Sequence, residues 1–137
     1  MNALAQKIVD RLSARLVERV EKYSAASLKR GVKAAASETD TSPTDAQKEA
    51  GNYRKGRFSW NGLSIVIENP AGSVRSGKSK SGHEWSITMP VHYGYIARTE
   101  SEADGDAIDV FVGPHPESDI VFVVDQQRGD GGQFDEH

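Results

Sequence analysis

The sequence predicts an α+β protein in which N-terminal helices precede a small barrel or sandwich of about five to six short strands. The chain has 137 residues, enough for one domain of ordinary size. Apolar residues recur every four positions near the N-terminus, as they do along one side of a helix. From Arg57 onward, short alternating apolar runs are separated by glycine, proline and asparagine. These two patterns indicate helices first and a strand-rich domain afterwards.

The first segment predicts an amphipathic helix over residues 3–23, with a broad apolar stripe. The stripe consists of Leu4, Ile8, Val9, Leu12, Leu16, Val17 and Val20. We expect this helix to dock on its own domain, or to serve a homo-oligomer or a protein partner. A basic membrane-surface helix is the weaker alternative, because acidic residues dilute its polar face. Residues 24–42 are small and polar and predict a frayed helix that passes into a linker. An extension over residues 1–41 would then precede a domain over residues 42–137.

Start and stop signals predict a short second helix after this linker. Ser42 can cap it, Pro43 suits its first position, and Gly51 ends it. The strands begin with a hairpin whose turn is Asn61–Gly62. Further strands are predicted in the stretches HEWSITM, VHYGYIA, AIDVFVG and DIVFVVD.

Composition and charge exclude several classes of function. The chain has no cysteine, which excludes disulfides and thiolate zinc sites and slightly favours a cytoplasmic location. It has neither an apolar run long enough to cross a membrane nor a signal-peptide pattern. Residues 1–56 carry a net charge of +4 and residues 57–137 a net charge of −7. Because duplex DNA is bound largely through basic residues, we expect no nucleic-acid partner. An acidic domain can still bind phosphate compounds through metal ions.

The stretch EADGDAID places three aspartates, Asp104, Asp106 and Asp109, within six positions. Gly105 allows a tight turn, so that the carboxylates can converge. Converging carboxylates are the ligands that Mg²⁺ prefers, and without a cation they would repel one another. On this stretch alone, a solvated acidic turn remains the alternative.

Other strand ends also deliver charged or polar side chains. Carboxylates follow separate apolar runs at Glu68 and Asp125, and another lies at Asp135. A glycine- and serine-rich stretch, GSVRSGKSKSG, carries Arg75, Lys78 and Lys80, and it predicts a flexible loop that could clamp a phosphate. Tyr93 and Tyr95 share one strand face and either donate hydrogen bonds to an anion or pack in the core.

Three stretches together, IENPAGS, MPVHYGYIARTESEADGDAIDVFV and VFVVDQ, resemble the soluble, Mg²⁺-dependent inorganic pyrophosphatases. The aspartate motif Asp104-Gly105-Asp106-Ala107-Ile108-Asp109-Val110 is the specific part of the match. The likeness is greatest to pyrophosphatase-like domains of phage and mobile-element multidomain proteins. The resemblance implies a small OB-like closed β-barrel, shorter here at its C-terminal end, and hydrolysis of pyrophosphate or another small phosphate compound.

The resemblance also implies roles for individual residues. The metal ligands would be Asp104, Asp106, Asp109, Asp125 and Asp135. Asp106 would orient the attacking water, and Glu68 and Tyr93 would complete the catalytic set. Arg75, Lys78 and Tyr93 would bind the substrate phosphates.

Departures from the family pattern leave an alternative open. Met89, His92 and Gly77 replace the family's tyrosine, asparagine and acidic residue. The alternative is a catalytically weak or inactive phage or mobile-element protein, located in the host cytoplasm, that acts through protein binding or inhibition.

Overall fold

The computed structural model describes residues 2–100, 105–124, 126–127 and 134–135. It is an α+β structure with a long N-terminal helix, a short second helix and small antiparallel sheets. Within the described residues, no helix is long and apolar enough to cross a membrane. The elements are α1 (Ala3–Glu38), α2 (Asp45–Ala50), β1 (Gly56–Trp60), β2 (Leu63–Asn69), β3 (Val74–Lys78), β4 (Glu84–Thr88), β5 (His92–Ile96), β6 (Asp109–Val112), β7 (Gln126–Gln127) and β8 (Phe134–Asp135).

Helix α1 is continuous over 36 residues, so the linker expected within residues 24–42 is wrong over most of its length. Asn2 caps its first turn by accepting a hydrogen bond from the N–H of Ala5 at 2.8 Å. Residues 24–38 are rich in alanine, lysine and other good helix formers, and their packing on the sheet stabilises the helix. The apolar stripe over residues 3–23 is exposed; Leu4, for example, is 67% exposed. The division into residues 1–41 and 42–137 stays a prediction.

The structure confirms the predicted short second helix, which is α2, but the residue that caps it is Thr44 rather than Ser42. The Thr44 hydroxyl accepts from the N–H of Gln47, and the Gln47 side chain accepts from the N–H of Thr44. This reciprocal capping box satisfies two N–H groups that a helix start leaves free. Gly51 ends the helix with a φ of 65°, as the sequence predicts.

The main sheet has four antiparallel strands in the order β1-β2-β5-β6. The predicted Asn61–Gly62 turn joins β1 to β2, and both residues have positive φ, 47° and 81°. Such values are typical of the two-residue hairpin turn that Asn-Gly favours. The turn sets the register in which Phe58 pairs with Ile65.

The core lies between the C-terminal half of α1 and one face of this sheet. Val32 and Ala35 of α1 pack against Phe58, Ile65 and Ile67, all of which are buried. At the end of α1, the buried hydroxyl of Thr39 accepts a hydrogen bond from the N–H of Gly56 at 2.9 Å. The same oxygen lies 2.9 Å from the carbonyl of Ala35 and 3.1 Å from that of Ile67, so it can donate its proton to either. This hydroxyl joins the helix end to β1 and β2.

The expected closed, OB-like barrel is wrong. Within the described residues, β3 pairs only with β4 and β7 only with β8, and no sheet closes on itself. The main sheet keeps β1 and β6 as separate edges, whereas a barrel needs every strand paired on both sides.

Two predictions about single segments of the strand-rich region are also wrong. The predicted flexible loop around Arg75 is largely the hairpin β3–β4, in which Arg75 pairs with Ile87. The predicted strand in DIVFVVD is not formed at residues 120–124, which are exposed and have no ladder partner among the described residues. A strand needs a neighbour for its backbone hydrogen bonds, and an apolar run cannot supply one by itself.

Candidate active site on the polar face of the sheet

The two faces of the main sheet differ in chemistry because strand side chains alternate. The face toward α1 is apolar. On the opposite face, the register places Val66 beside Tyr95, Tyr95 beside Asp109, and Tyr93 beside Phe111. The tyrosines of β5 and the carboxylate of β6 therefore share one surface with apolar neighbours, and we call this surface the polar face.

Tyr93 links two of the residues predicted for the site. Its hydroxyl donates a hydrogen bond to Oδ2 of Asp109 at 2.8 Å. The guanidinium of Arg75 approaches from the β3–β4 hairpin, with Nη2 3.4 Å from the Tyr93 oxygen. The guanidinium carbon also lies 4.3 Å from the centre of the Tyr93 ring. The structure thus brings Arg75, Tyr93 and Asp109 together.

Burial of Tyr93 sets its protonation state. Burial, the hydrogen bond to Asp109 and the negative charge of Asp109 together raise the pKa of Tyr93 far above its ordinary value. The positive charge of Arg75 acts in the opposite direction but does not cancel this rise in the pKa of Tyr93. The phenol therefore stays protonated throughout the physiological pH range and remains a donor.

Glu68 reaches the polar face at an irregularity in β2. The pairing of β2 with β5 shifts between Ile67 and Asn69, which places Glu68 at a β-bulge. Bulges redirect side chains and are common beside active sites. Oε1 of Glu68 lies 2.8 Å from Nζ of Lys55. The negative charge of Glu68 also contributes to the raised pKa of Tyr93, so these two groups belong to the same electrostatic neighbourhood.

Lys55 and Tyr53 are residues of this site that the sequence did not single out. Nζ of Lys55 lies 4.7 Å from the ring centre of Tyr53 and 5.5 Å from that of Tyr95. Burial alone would lower the pKa of Lys55, but the hydrogen bond and charge of Glu68 outweigh burial and raise it. The signal that could have found Lys55 is the predicted Asn61–Gly62 hairpin, whose register pairs Gly56 with Ile67 and so sets Lys55 beside Glu68.

Burial also raises the pKa of Tyr53, and the negative charge of Glu68 adds to this effect. The positive charges of Lys55 and Arg75 act in the opposite direction. Tyr53 thus responds to both cations and to Glu68, which places the segment before β1 at the polar face.

Lys78 is not brought to this cluster. It alternates with Arg75 along β3 and therefore lies on the other face of the hairpin. Its side chain is 64% exposed and lies 4.0 Å from the carboxylate of Glu84. Its predicted contact with a substrate phosphate stays a prediction.

Only part of the predicted metal set can be placed. Asp109 begins β6, and Asp106 lies in the turn before it, after Gly105 with a φ of 76°. Asp104 and Asp125 lie outside the described residues, while Asp135 is in β8, where it pairs with Gln126. Within the described part of the chain, no three histidine or acidic side chains converge as a metal-binding group. The carboxylates of Asp106 and Asp109 are oxygen donors of the kind that suits Mg²⁺.

Comparison with known proteins places this chain in a family. A family model described as Inorganic Pyrophosphatase matches residues 45–137. The chain belongs to this family. No curated protein and no solved structure gave a significant match. The match contains every site residue discussed above, and it begins at the first residue of α2. Helix α1 precedes the matched region, although its end forms part of the core of this pyrophosphatase-family chain.

Proposed function

We propose that this chain hydrolyses inorganic pyrophosphate to two phosphates in a reaction that depends on Mg²⁺. The observation that carries the proposal is the contact of Arg75, Tyr93 and Asp109 on the polar face, inside the region that matches the pyrophosphatase family. A metal-bound diphosphate needs a cationic side chain for its phosphate oxygens and a carboxylate for its metal ion. Arg75 and Asp109 supply these two groups side by side.

The proposed metal ligands are Asp106 and Asp109, together with Asp104, Asp125 and Asp135. Mg²⁺, when bound there, offsets the charge of the diphosphate and lowers the pKa of a water molecule. The 2.8 Å hydrogen bond from Tyr93 to Oδ2 fixes the orientation of the Asp109 carboxylate. Asp106 is the proposed residue that orients the attacking water.

Arg75 is the proposed phosphate-binding residue. A guanidinium has five N–H donors, and among the described residues that of Arg75 makes a single hydrogen bond, to the Tyr93 oxygen. The remaining donors can bind phosphate oxygens in the paired geometry that favours arginine. Tyr93 has a single proton, already donated to Asp109, so in this arrangement it orients the carboxylate and supports Arg75 rather than donating to substrate.

A phosphate-release assay with pyrophosphate and Mg²⁺ tests the proposal. We expect turnover by the wild-type chain and its loss in Asp106→Ala. Asp119→Ala is the matched control, because Asp119 is an exposed aspartate outside the polar face, and it should retain wild-type activity. Wild-type activity no greater than that of Asp106→Ala at every Mg²⁺ concentration would contradict the proposal. We also propose a cytoplasmic location for this chain, because the polymerisation of nucleotides produces pyrophosphate there.

A further inference from the structure

Lys55 is a largely enclosed cation of the polar face. Its side chain is 13% exposed, against 25% for its partner Glu68. The ammonium group contacts Oε1 of Glu68 on one side and the faces of Tyr53 and Tyr95 on the others. Both rings attract the positive charge through their electron-rich faces. A cation held in this way has little surface left for a substrate.

The contact leaves the second oxygen of Glu68 available. Lys55 binds Oε1, whereas Oε2 has no hydrogen-bond partner among the described residues. When one oxygen of a carboxylate is held by an ion pair, the orientation of the other oxygen is restricted as well. Glu68 is also exposed enough, at 25%, for that oxygen to meet water or substrate.

The backbone on both sides of this ion pair is tied to one hydroxyl. Thr39 accepts a hydrogen bond from Gly56, the residue after Lys55, and lies 3.1 Å from the carbonyl oxygen of Ile67, the residue before Glu68. The N–H of Asp40 donates to the carbonyl of Arg54 at 2.9 Å, on the other side of Lys55. The end of α1 therefore fixes the backbone from which both side chains extend.

We propose that Lys55 is a positioning residue, which holds the Glu68 carboxylate in the orientation needed for hydrolysis of the phosphate substrate. This inference rests on the proposed pyrophosphatase function. It assigns to the segment before β1 a part in the site that the predicted metal ligands and Arg75 do not supply. Lys55 acts through Glu68 and does not itself contact the substrate.

Steady-state kinetics of Lys55→Gln with pyrophosphate and Mg²⁺ test the inference. We expect kcat to fall by up to about 100-fold, as for a displaced catalytic group, with little change in KM. Lys29→Gln is the matched control, because Lys29 forms an equally short ion pair, 2.8 Å from Glu117, away from the polar face. It should keep the wild-type kcat. In Lys55→Ala, added propylammonium should restore part of kcat by filling the space between the two rings.

A second measurement separates the ion pair from turnover. The Lys55 ammonium should give a ¹⁵N–¹H signal in the wild-type chain, because the Glu68 contact and burial slow its exchange with water, and Glu68→Gln should remove it. A wild-type chain that shows this signal but no phosphate release overturns the proposed function, and the positioning role with it. An active wild type with unchanged kcat in Lys55→Gln overturns the positioning role alone. A lowered melting temperature with unchanged kcat, and no effect of propylammonium, would show a merely structural role.

Discussion

The hydroxyl of Tyr93 and the carboxylate of Asp109 form a 2.8 Å hydrogen bond that joins β5 to β6 on the polar face. Tyr93 is buried, with 6% of its surface exposed, while Asp109 is half-buried at the start of its strand. A buried aromatic ring thus holds a carboxylate that we predict to bind metal. Partners of this kind orient metal ligands and raise their affinity.

Tyr93→Phe should weaken the predicted metal site without emptying the core. We expect the Mg²⁺ concentration for half-maximal phosphate release to rise by roughly 10- to 100-fold, as on loss of a ligand's hydrogen-bond partner. The loss of the hydrogen bond should also destabilise the fold by about 1–3 kcal/mol, measured by urea unfolding. Tyr95→Phe is the control, because the Tyr95 hydroxyl makes no hydrogen bond within the described residues. An unchanged Mg²⁺ dependence in Tyr93→Phe would contradict the proposed role of this bond.

His92 should make the stability of the fold depend on pH. Its Nδ1 accepts a hydrogen bond from the N–H of Ala71 at 2.9 Å, and burial lowers its pKa. The unfolded chain then binds a proton more readily than the folded chain. The stability from neutral His92 is present above its unfolded pKa, about 6.5, and is lost as pH falls toward the lower folded pKa.

The effect is measured by the urea unfolding midpoints of the wild type at about pH 7 and about pH 5. These two pH values lie on either side of the ordinary histidine pKa. His92→Asn keeps an acceptor at this position but cannot be protonated, so its decrease in stability over this range should be smaller. His83→Asn changes an exposed histidine between β3 and β4 and should follow the wild type. Parallel pH profiles of His92→Asn and wild type would refute the assignment.

Gly56→Ala should disrupt the contact between α1 and the sheet. A Cβ at this position would lie 1.8 Å from the carbonyl oxygen of Ala35, so helix and strand would have to separate. We expect a loss of about 1–3 kcal/mol or more in the free energy of unfolding, as for other overpacked cores. Gly113→Ala is the control, because a Cβ there would meet nothing within 4 Å. Equal stability of the two variants would show that the helix does not approach the strand this closely.

Two N-terminal deletions should separate the exposed part of α1 from its packed part. Deleting residues 2–23 removes the exposed stripe and should change the stability of the remaining domain by no more than about 0.5 kcal/mol. Deleting residues 2–39 also removes Val32, Ala35 and Thr39, and should prevent stable folding. Circular dichroism and urea unfolding distinguish the two results. If the shorter deletion also changes the mass seen by light scattering, residues 3–23 mediate self-association; an unfolded shorter deletion would contradict the packing described here.

Local patterns were predictable from the sequence where neighbouring residues decide the structure. The Asn61–Gly62 turn is correct because its positive φ values suit these two residues, and Gly51 ends α2 for the same reason. The alternation of Tyr93 and Tyr95 correctly placed both on one face. By contrast, the small and polar composition of residues 24–38 was misleading, because its good helix formers and the packing of Val32 and Ala35 on the sheet together stabilise a helix.

The sequence by itself determined the family, the short helix, most strands and the identity of Arg75, Tyr93 and Asp109 as candidates, since each depends on local spacing or motif. Only the tertiary structure decided that the main sheet stays open and that Lys78 faces away from Arg75. It alone brought the ring of Tyr95, from β5, to the ammonium group of Lys55. Such pairings depend on strand order and on the approach of α1 to Gly56. These are long-range contacts, which no short window of sequence specifies.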